Sequence, residues 1–241
     1  RRSRWGGLVG SDIRKWGAID AVLFDMDGTL IDSEGLTELT VVQLMSERGA
    51  DPGAILDFTV FHGVTWQRIS DALQKLYPHH RAPDVPELET RFLHLLKTHG
   101  PEEVPGATAA VRAGAAHGAV ALVTSSGQVS AGFVLDRLGL AQVFSVRVCA
   151  EDVQRSKPDP QGYALAAARL GIAPERCLVF EDSVAGLTAG RSAGMTTIAI
   201  TRGKPASDAA VAATLADLCI RDFNELPADF FVQLGTGASA L

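Results

Sequence analysis

The sequence predicts an α/β protein, a doubly wound parallel sheet into which an α-helical domain is inserted. Three observations carry this. Short apolar runs with β-branched and aromatic residues alternate with amphipathic stretches along most of the 241 residues. Three helical segments interrupt the alternation after the first run, and acidic or hydroxyl-bearing residues follow directly on several strand runs. A chain of this length buries a substantial core without disulfide staples.

Residues 1–17 are read as an N-terminal extension without a function of its own, since RRSRWGGLVGSDIRK is basic but lacks the continuous apolar stretch of a secretory signal. AIDAVLF (18–24) reads as a central strand that ends in the acidic stretch FDMDGTLIDSE (24–34). TELTVVQLMSERG (37–49), TWQRISDALQKLY (65–77) and ELETRFLHLLKTHG (87–100) are amphipathic helical segments with no convincing strand between them. They place the inserted helical domain at 35–100 and the sheet domain at 18–34 and 101–241. The loop around Asp32 and the Pro/Gly-rich GPEEVPGA are the expected hinges.

Beyond the insertion, the strand runs are AVALV (119–123), FSVRVC (144–149), CLVF (177–180) and TTIAI (196–200). The helical segments between them are ATAAVRAGAAH, SAGFVLDRLGL and PQGYALAAARLG. Gly139 and Gly171 stand where a helix end calls for a left-handed residue. The terminal GTGASA lacks strand or helix context and reads as a tail.

Composition narrows the function. With 46% hydrophobic and 21% charged residues and a net charge of -6, the chain has the wrong sign for general attraction to nucleic acid or an anionic membrane. No stretch approaches 18 consecutive apolar residues. Cys149, Cys177 and Cys219 form no CxxC pair, and their odd count points to a reducing compartment. The expectation is a cytoplasmic monomer whose partner is a small molecule.

Four short segments carry chemistry. In an extended chain residues i and i+2 point the same way, so Asp25 and Asp27 can face one site while Met26 turns into the core. Hard oxygen ligands of this kind suit Mg²⁺, which takes one or two carboxylates and keeps waters and a substrate phosphate. VTSSG offers the Thr124 and Ser125 hydroxyls and nearby backbone N–H groups to phosphate oxygens, although the same residues serve as ordinary helix caps. RSKPDP presents Lys157 on a proline-restricted loop, and VFEDSVAGLTAGRSAGM ends a strand with Glu181 and Asp182 before a helix rich in small residues. In an open parallel sheet such strand ends converge on one crevice. Carboxylates, donors and a lysine gathered there make sense around one phosphoryl group.

DMDGTLIDS, TSS, Lys157 in SKPDP and EDSVAGLTAGRSAGM resemble, in order, the four motifs of the haloacid dehalogenase superfamily, over most of residues 18–205. The resemblance implies a Rossmann-like core, and it puts the helical insertion in the position of that family's first type of cap. It implies Asp25 as nucleophile and Asp27 as acid and base. Thr124, Ser125 and Lys157 would bind phosphate. Asp25, the Asp27 carbonyl, Asp182 and Glu181 would hold Mg²⁺ directly or through water, and Gly28 would let the chain turn away from the site.

Dehalogenases of the superfamily lack an acid at the position of Asp27, so its presence implies phosphoryl transfer. The core is similar to the β-phosphoglucomutase branch. That branch's cap histidine is replaced here by Thr37 and its phosphate-binding arginine by Trp66, with Arg68 nearby. HGVTWQRISDAL looks more like the cap of sugar and polyol phosphate phosphatases, and it implies His62, Trp66 and Arg68 as specificity residues. The reading is a Mg²⁺-dependent phosphatase of a small phosphorylated metabolite. A phosphomutase and a non-catalytic phosphometabolite-binding protein are the alternatives.

Overall fold

The computed structural model of the chain describes residues 16–52, 58–61 and 64–235. His62, the first fifteen residues of the N-terminal extension and the terminal tail beyond residue 235 lie outside the described residues.

The first strand, β1 (Ala21–Phe24), leads through β2 (Ile31–Asp32) into α1 (Glu34–Ser46), α2 (Trp66–Leu76) and α3 (Val85–His99). The chain returns through β3 (Glu102–Glu103) to α4 (Ala107–His117) and β4 (Ala119–Val123). There follow α5 (Gln128–Arg137), β5 (Val146–Val148), α6 (Gln161–Leu170), β6 (Cys177–Glu181) and α7 (Val184–Ser192). The last elements are β7 (Thr196–Ile200), α8 (Ala206–Leu215), β8 (Leu218–Ile220) and α9 (Phe230–Leu234).

Six strands form one sheet in the order β5-β4-β1-β6-β7-β8, and every neighbouring pair is parallel. The strand order reverses at β1, so the ends of β4, β1 and β6 open side by side at the switch point. The sheet is buried on both faces, as a parallel sheet requires. Val22, Phe24, Leu122, Leu178 and Phe180 pack into one core, and Ala21, Leu23, Ala121, Val123 and Val179 into another. Phe24 stacks on Phe180 with ring centroids 5.2 Å apart.

In the insertion α1 and α2 both pack on α3, which begins with a capping box in which Asp84 and Glu87 exchange hydrogen bonds with each other's backbone N–H. The linkers that lead into and out of this helical region pair with each other as an antiparallel ribbon, Ile31 opposite Glu103 and Asp32 opposite Glu102. Two residues per strand are too few to show a period, so the sequence marks these segments only as hinges. The edge strand β8, with only LCI to announce it, is likewise absent from the sequence reading. Gly139 and Gly171 take the expected left-handed conformation at φ 66° and 69°.

Candidate active site

Asp25 directly follows β1, Thr124 follows β4, and Glu181 and Asp182 close β6. Parallel register brings them together, since Phe24 lies level with Leu122 on one side and Phe180 on the other. Lys157 reaches in from the loop before α6. Its ammonium donates to Asp25 Oδ1 at 2.6 Å, to the Val123 carbonyl at 3.1 Å and to Glu181 Oε1. The side chains of Lys157 and Asp25 are 6% and 5% exposed, and that of Glu181 is fully buried.

Glu181 is saturated with donors. Tyr163 and Lys157 occupy Oε1, while the backbone N–H groups of Asp182 and Ser183 and the Ser183 hydroxyl, all at 3.0–3.1 Å, occupy Oε2. A charged group enclosed in this way orients its neighbours more readily than it accepts a new ligand. Gly186 allows the close approach of α7, because a Cβ there would lie 1.8 Å from Glu181 Oε1.

Asp27 belongs to a different environment. Ser33 donates to its Oδ1 at 2.7 Å, and Ser126 and Thr124 donate to Oδ2 at 2.7 and 3.4 Å. The bridge between Asp27 and Ile31 turns the chain back on itself, and Gly28 takes φ 81° within that turn. A Cβ on Gly28 would stand 2.1 Å from Asp182 Oδ2, so both the backbone angle and the space require glycine.

Asp25, Glu181 and Asp182 place ligand oxygens within 4.8 Å of one another. Asp182 Oδ2 is held at 2.6 Å by Lys204, which also contacts Glu34, and Asp182 Oδ1 is buried with no hydrogen-bond partner among the described residues. An orphaned buried carboxylate oxygen beside a second carboxylate is what an oxygen-ligated cation would satisfy. Asp25 and Glu181 share Lys157, and Asp182 and Glu34 share Lys204, so the carboxylate oxygens outnumber the ammonium groups set against them and these residues fit Mg²⁺. The Asp27 carboxylate is not part of this cluster.

Burial, followed by repulsion from Glu181, holds the Asp25 carboxyl well above the usual range despite Lys157. Burial likewise pushes Asp182 up to about 7 against the pull of Lys204. Burial alone would lower Lys157, but Asp25 and Glu181 outweigh it and keep its ammonium charged.

A cavity of about 40 Å³ lies between these groups and the helical insertion. Asp25, Asp27, Ser125, Ser126 and Asp182 line its sheet side, while Glu34, Thr37, Phe61, Val64, Trp66, Ile69 and Phe92 line the opposite wall. Trp66 is buried edge-on against Phe92. Arg68 is elsewhere: it donates to the Lys157 carbonyl at 2.9 Å and lines an adjoining groove of about 500 Å³. Trp66 and Ser125 border both spaces.

The structure thus brings Asp25, Asp27, Thr124, Ser125, Lys157, Glu181, Asp182 and Trp66 to one place. Ser33, Ser126, Tyr163, Lys204 and Glu34 were not singled out by the sequence. Ser33 and Ser126 fall within quoted motifs, where a hydroxyl two residues from Thr124 was a usable signal, whereas nothing near Lys204 marks it.

A family model described as "Hydrolase: haloacid dehalogenase-like hydrolase" matches residues 19–194. Hexitol phosphatase B of Escherichia coli (strain K12) is 31% identical over 212 residues, covering 86% of this chain and 94% of that protein. A HAD family hydrolase from Deinococcus radiodurans R1, solved with bound phosphate and sodium, is 33% identical at a TM-score of 0.65, covering 92% of this chain and 100% of that one. The β-phosphoglucomutase of Clostridium difficile superposes with a TM-score of 0.75 at 19% identity, covering 90% of this chain and 97% of that one, and so shares the fold.

Proposed function

Because the chain belongs to the haloacid dehalogenase-like hydrolase family, we propose that it is a Mg²⁺-dependent phosphatase of a small sugar or polyol phosphate, working through an aspartyl-phosphate on Asp25. The observation that carries this reading is the contrast between two neighbouring carboxylates. Asp25 is paired with a lysine, whereas Asp27 is surrounded by hydroxyl donors.

An Asp25 carboxylate oxygen attacks phosphorus, and the ester P–O bond breaks as Asp27 delivers a proton to the departing alcohol. Asp27 then takes a proton from water, whose oxygen attacks the same phosphorus and displaces the Asp25 oxygen, releasing inorganic phosphate. Ser33 and Ser126 keep Asp27 turned toward this exchange. Lys157 neutralises Asp25 as it approaches an anion, and Thr124 and Ser125 hold phosphoryl oxygens. Mg²⁺, held by Asp25, Asp182 and the Asp27 carbonyl, with Glu181 supporting the set, would supply positive charge to the phosphoryl oxygens.

The α1–α3 region, residues 35–100, serves as the cap. A cavity of about 40 Å³ holds a few waters and no sugar. The cap therefore opens on the β2–β3 ribbon to admit substrate, and the leaving group extends past Trp66 and Ser125 into the groove that Arg68 lines. The curated relatives named hexitol phosphatases support this substrate class. A mutase must hold a second phosphate, but among the described residues no cation lines the cap wall of the cavity.

The test is phosphate release from sugar, polyol and nucleotide monophosphates, with Mg²⁺ and with chelator. Metal-dependent release that falls by about a thousandfold or more in Asp25→Asn is expected. Release that survives this substitution, or an isomerised product that appears only with a bisphosphate activator, would overturn the reading.

A further inference from the structure

Lys204 lies in the loop between β7 and α8, outside the four motif segments, yet it reaches the centre of the site. Its side chain is 6% exposed, and its ammonium touches Glu34 Oε1 and stands 2.6 Å from Asp182 Oδ2. Burying an ammonium is costly unless it is paired, so this placement needs an account.

A carboxylate has two oxygens, and here their fates differ. Lys204 occupies Oδ2 of Asp182, and the Gly28 backbone closes on that same oxygen so tightly that a Cβ would overlap it. Oδ1 is buried, has no hydrogen-bond partner among the described residues, and belongs to a carboxylate that lies within ligand distance of Asp25. We propose that Lys204 is a positioning residue that holds Asp182 by one oxygen so that the other faces the metal. Glu34, in the first turn of α1, compensates its charge and ties this arrangement to the helix that enters the cap. The inference rests on the metal-dependent reading above, but it concerns ion binding and needs no substrate.

Two physical effects of Lys204 on a bound cation have opposite signs. As a nearby positive charge it would repel the ion, and its removal would tighten binding. As an orienting partner it presents the ligand oxygen, and its removal would weaken binding by about 10–100-fold. Because Glu34 already offsets the charge, orientation is the larger effect.

The experiment is calorimetric titration of the full chain with Mg²⁺ alone, comparing wild type, Lys204→Met, Lys204→Arg and Glu34→Gln. Lys204→Met is expected to raise the Mg²⁺ Kd at least about tenfold, with Lys204→Arg recovering most of the loss. Glu34→Gln, which leaves the ammonium paired with Asp182 alone, weakens binding less than Lys204→Met does. An unchanged Kd in Lys204→Met, or a tighter one, overturns the proposal. If Lys204→Met does not fold, Lys204→Gln is measured against the same outcomes. Wild type that binds Mg²⁺ but cleaves no ester would count against the phosphatase reading alone. Normal Mg²⁺ binding by Lys204→Met in a catalytically active background would count against the positioning role alone.

Discussion

Ser126 donates its hydroxyl to Asp27 at 2.7 Å across 99 positions of sequence, and with Ser33 on the other oxygen it leaves that carboxylate little freedom to rotate. If Asp27 protonates the leaving oxygen, the need for its orientation depends on how poor the leaving group is. Ser126→Ala is expected to slow hydrolysis of an alkyl phosphate by about tenfold or more while slowing p-nitrophenyl phosphate, whose phenolate leaves unaided, by less. Steady-state kcat on the two substrates checks this, and equal losses would count against the acid role.

The proposed Mg²⁺ site makes a stability prediction: with Mg²⁺ at about a hundred times its Kd, the folded state is expected to gain about 2.7 kcal/mol, which for a chain of this size is a rise of roughly 5–10 °C in Tm. Chelator abolishes the rise, and Asp182→Asn is expected to lose most of it because the orphaned oxygen is its source. Scanning calorimetry with and without Mg²⁺ measures both.

Gly28→Ala is expected to damage the site more than the fold. The left-handed φ of 81° costs an alanine about 1–2 kcal/mol, and the added Cβ displaces Asp182. A fall of a few degrees in Tm with near-complete loss of Mg²⁺-dependent activity is the anticipated pattern. A variant that kept its activity would show that Asp182 can shift without consequence.

Asp152 provides a pH test away from the site. The Cys149 backbone N–H donates to it at 2.9 Å and Arg169 pairs with it at 2.7 Å, and these partners hold its carboxyl below the usual value. Its folded-state pKa lies below the unfolded one, so its contribution is present above the ordinary carboxylate value near pH 3.8 and is lost as the pH falls further. Asp152→Asn should lower Tm by a few degrees at pH 7, and the gap should shrink as the pH falls below the ordinary carboxylate value near 3.8. A gap independent of pH would show that shape, and not charge, holds the loop.

Much of the sheet was legible because burial on both faces writes itself as apolar runs, and AVALV and TTIAI coincide with strands β4 and β7. Edge and linker strands were not legible, since LCI in β8 and the two-residue β2 and β3 are too short to display a period. The helix of TELTVVQLMSERG in fact begins at Glu34, three residues before its apolar pattern. Glu34 and Gly35, which open the helix, add nothing to an apolar period.

By itself the sequence determined which residues stand at strand ends and therefore which can meet in the crevice, because strand ends follow from local burial patterns and parallel topology. Asp25, Asp27, Thr124, Glu181 and Asp182 were readable on that basis, and Lys157, on a loop, through the resemblance of its SKPDP segment. Tertiary structure alone decided how these acids divide their partners: Glu181 enclosed by donors, Asp27 among hydroxyls, and Asp182 left with one open oxygen by Lys204. It also moved Arg68 away from the cavity beside Asp25 and onto the Lys157 carbonyl. Such pairings turn on ångström distances between segments far apart in the chain. Those distances are set by how the layers pack, and no local pattern encodes them.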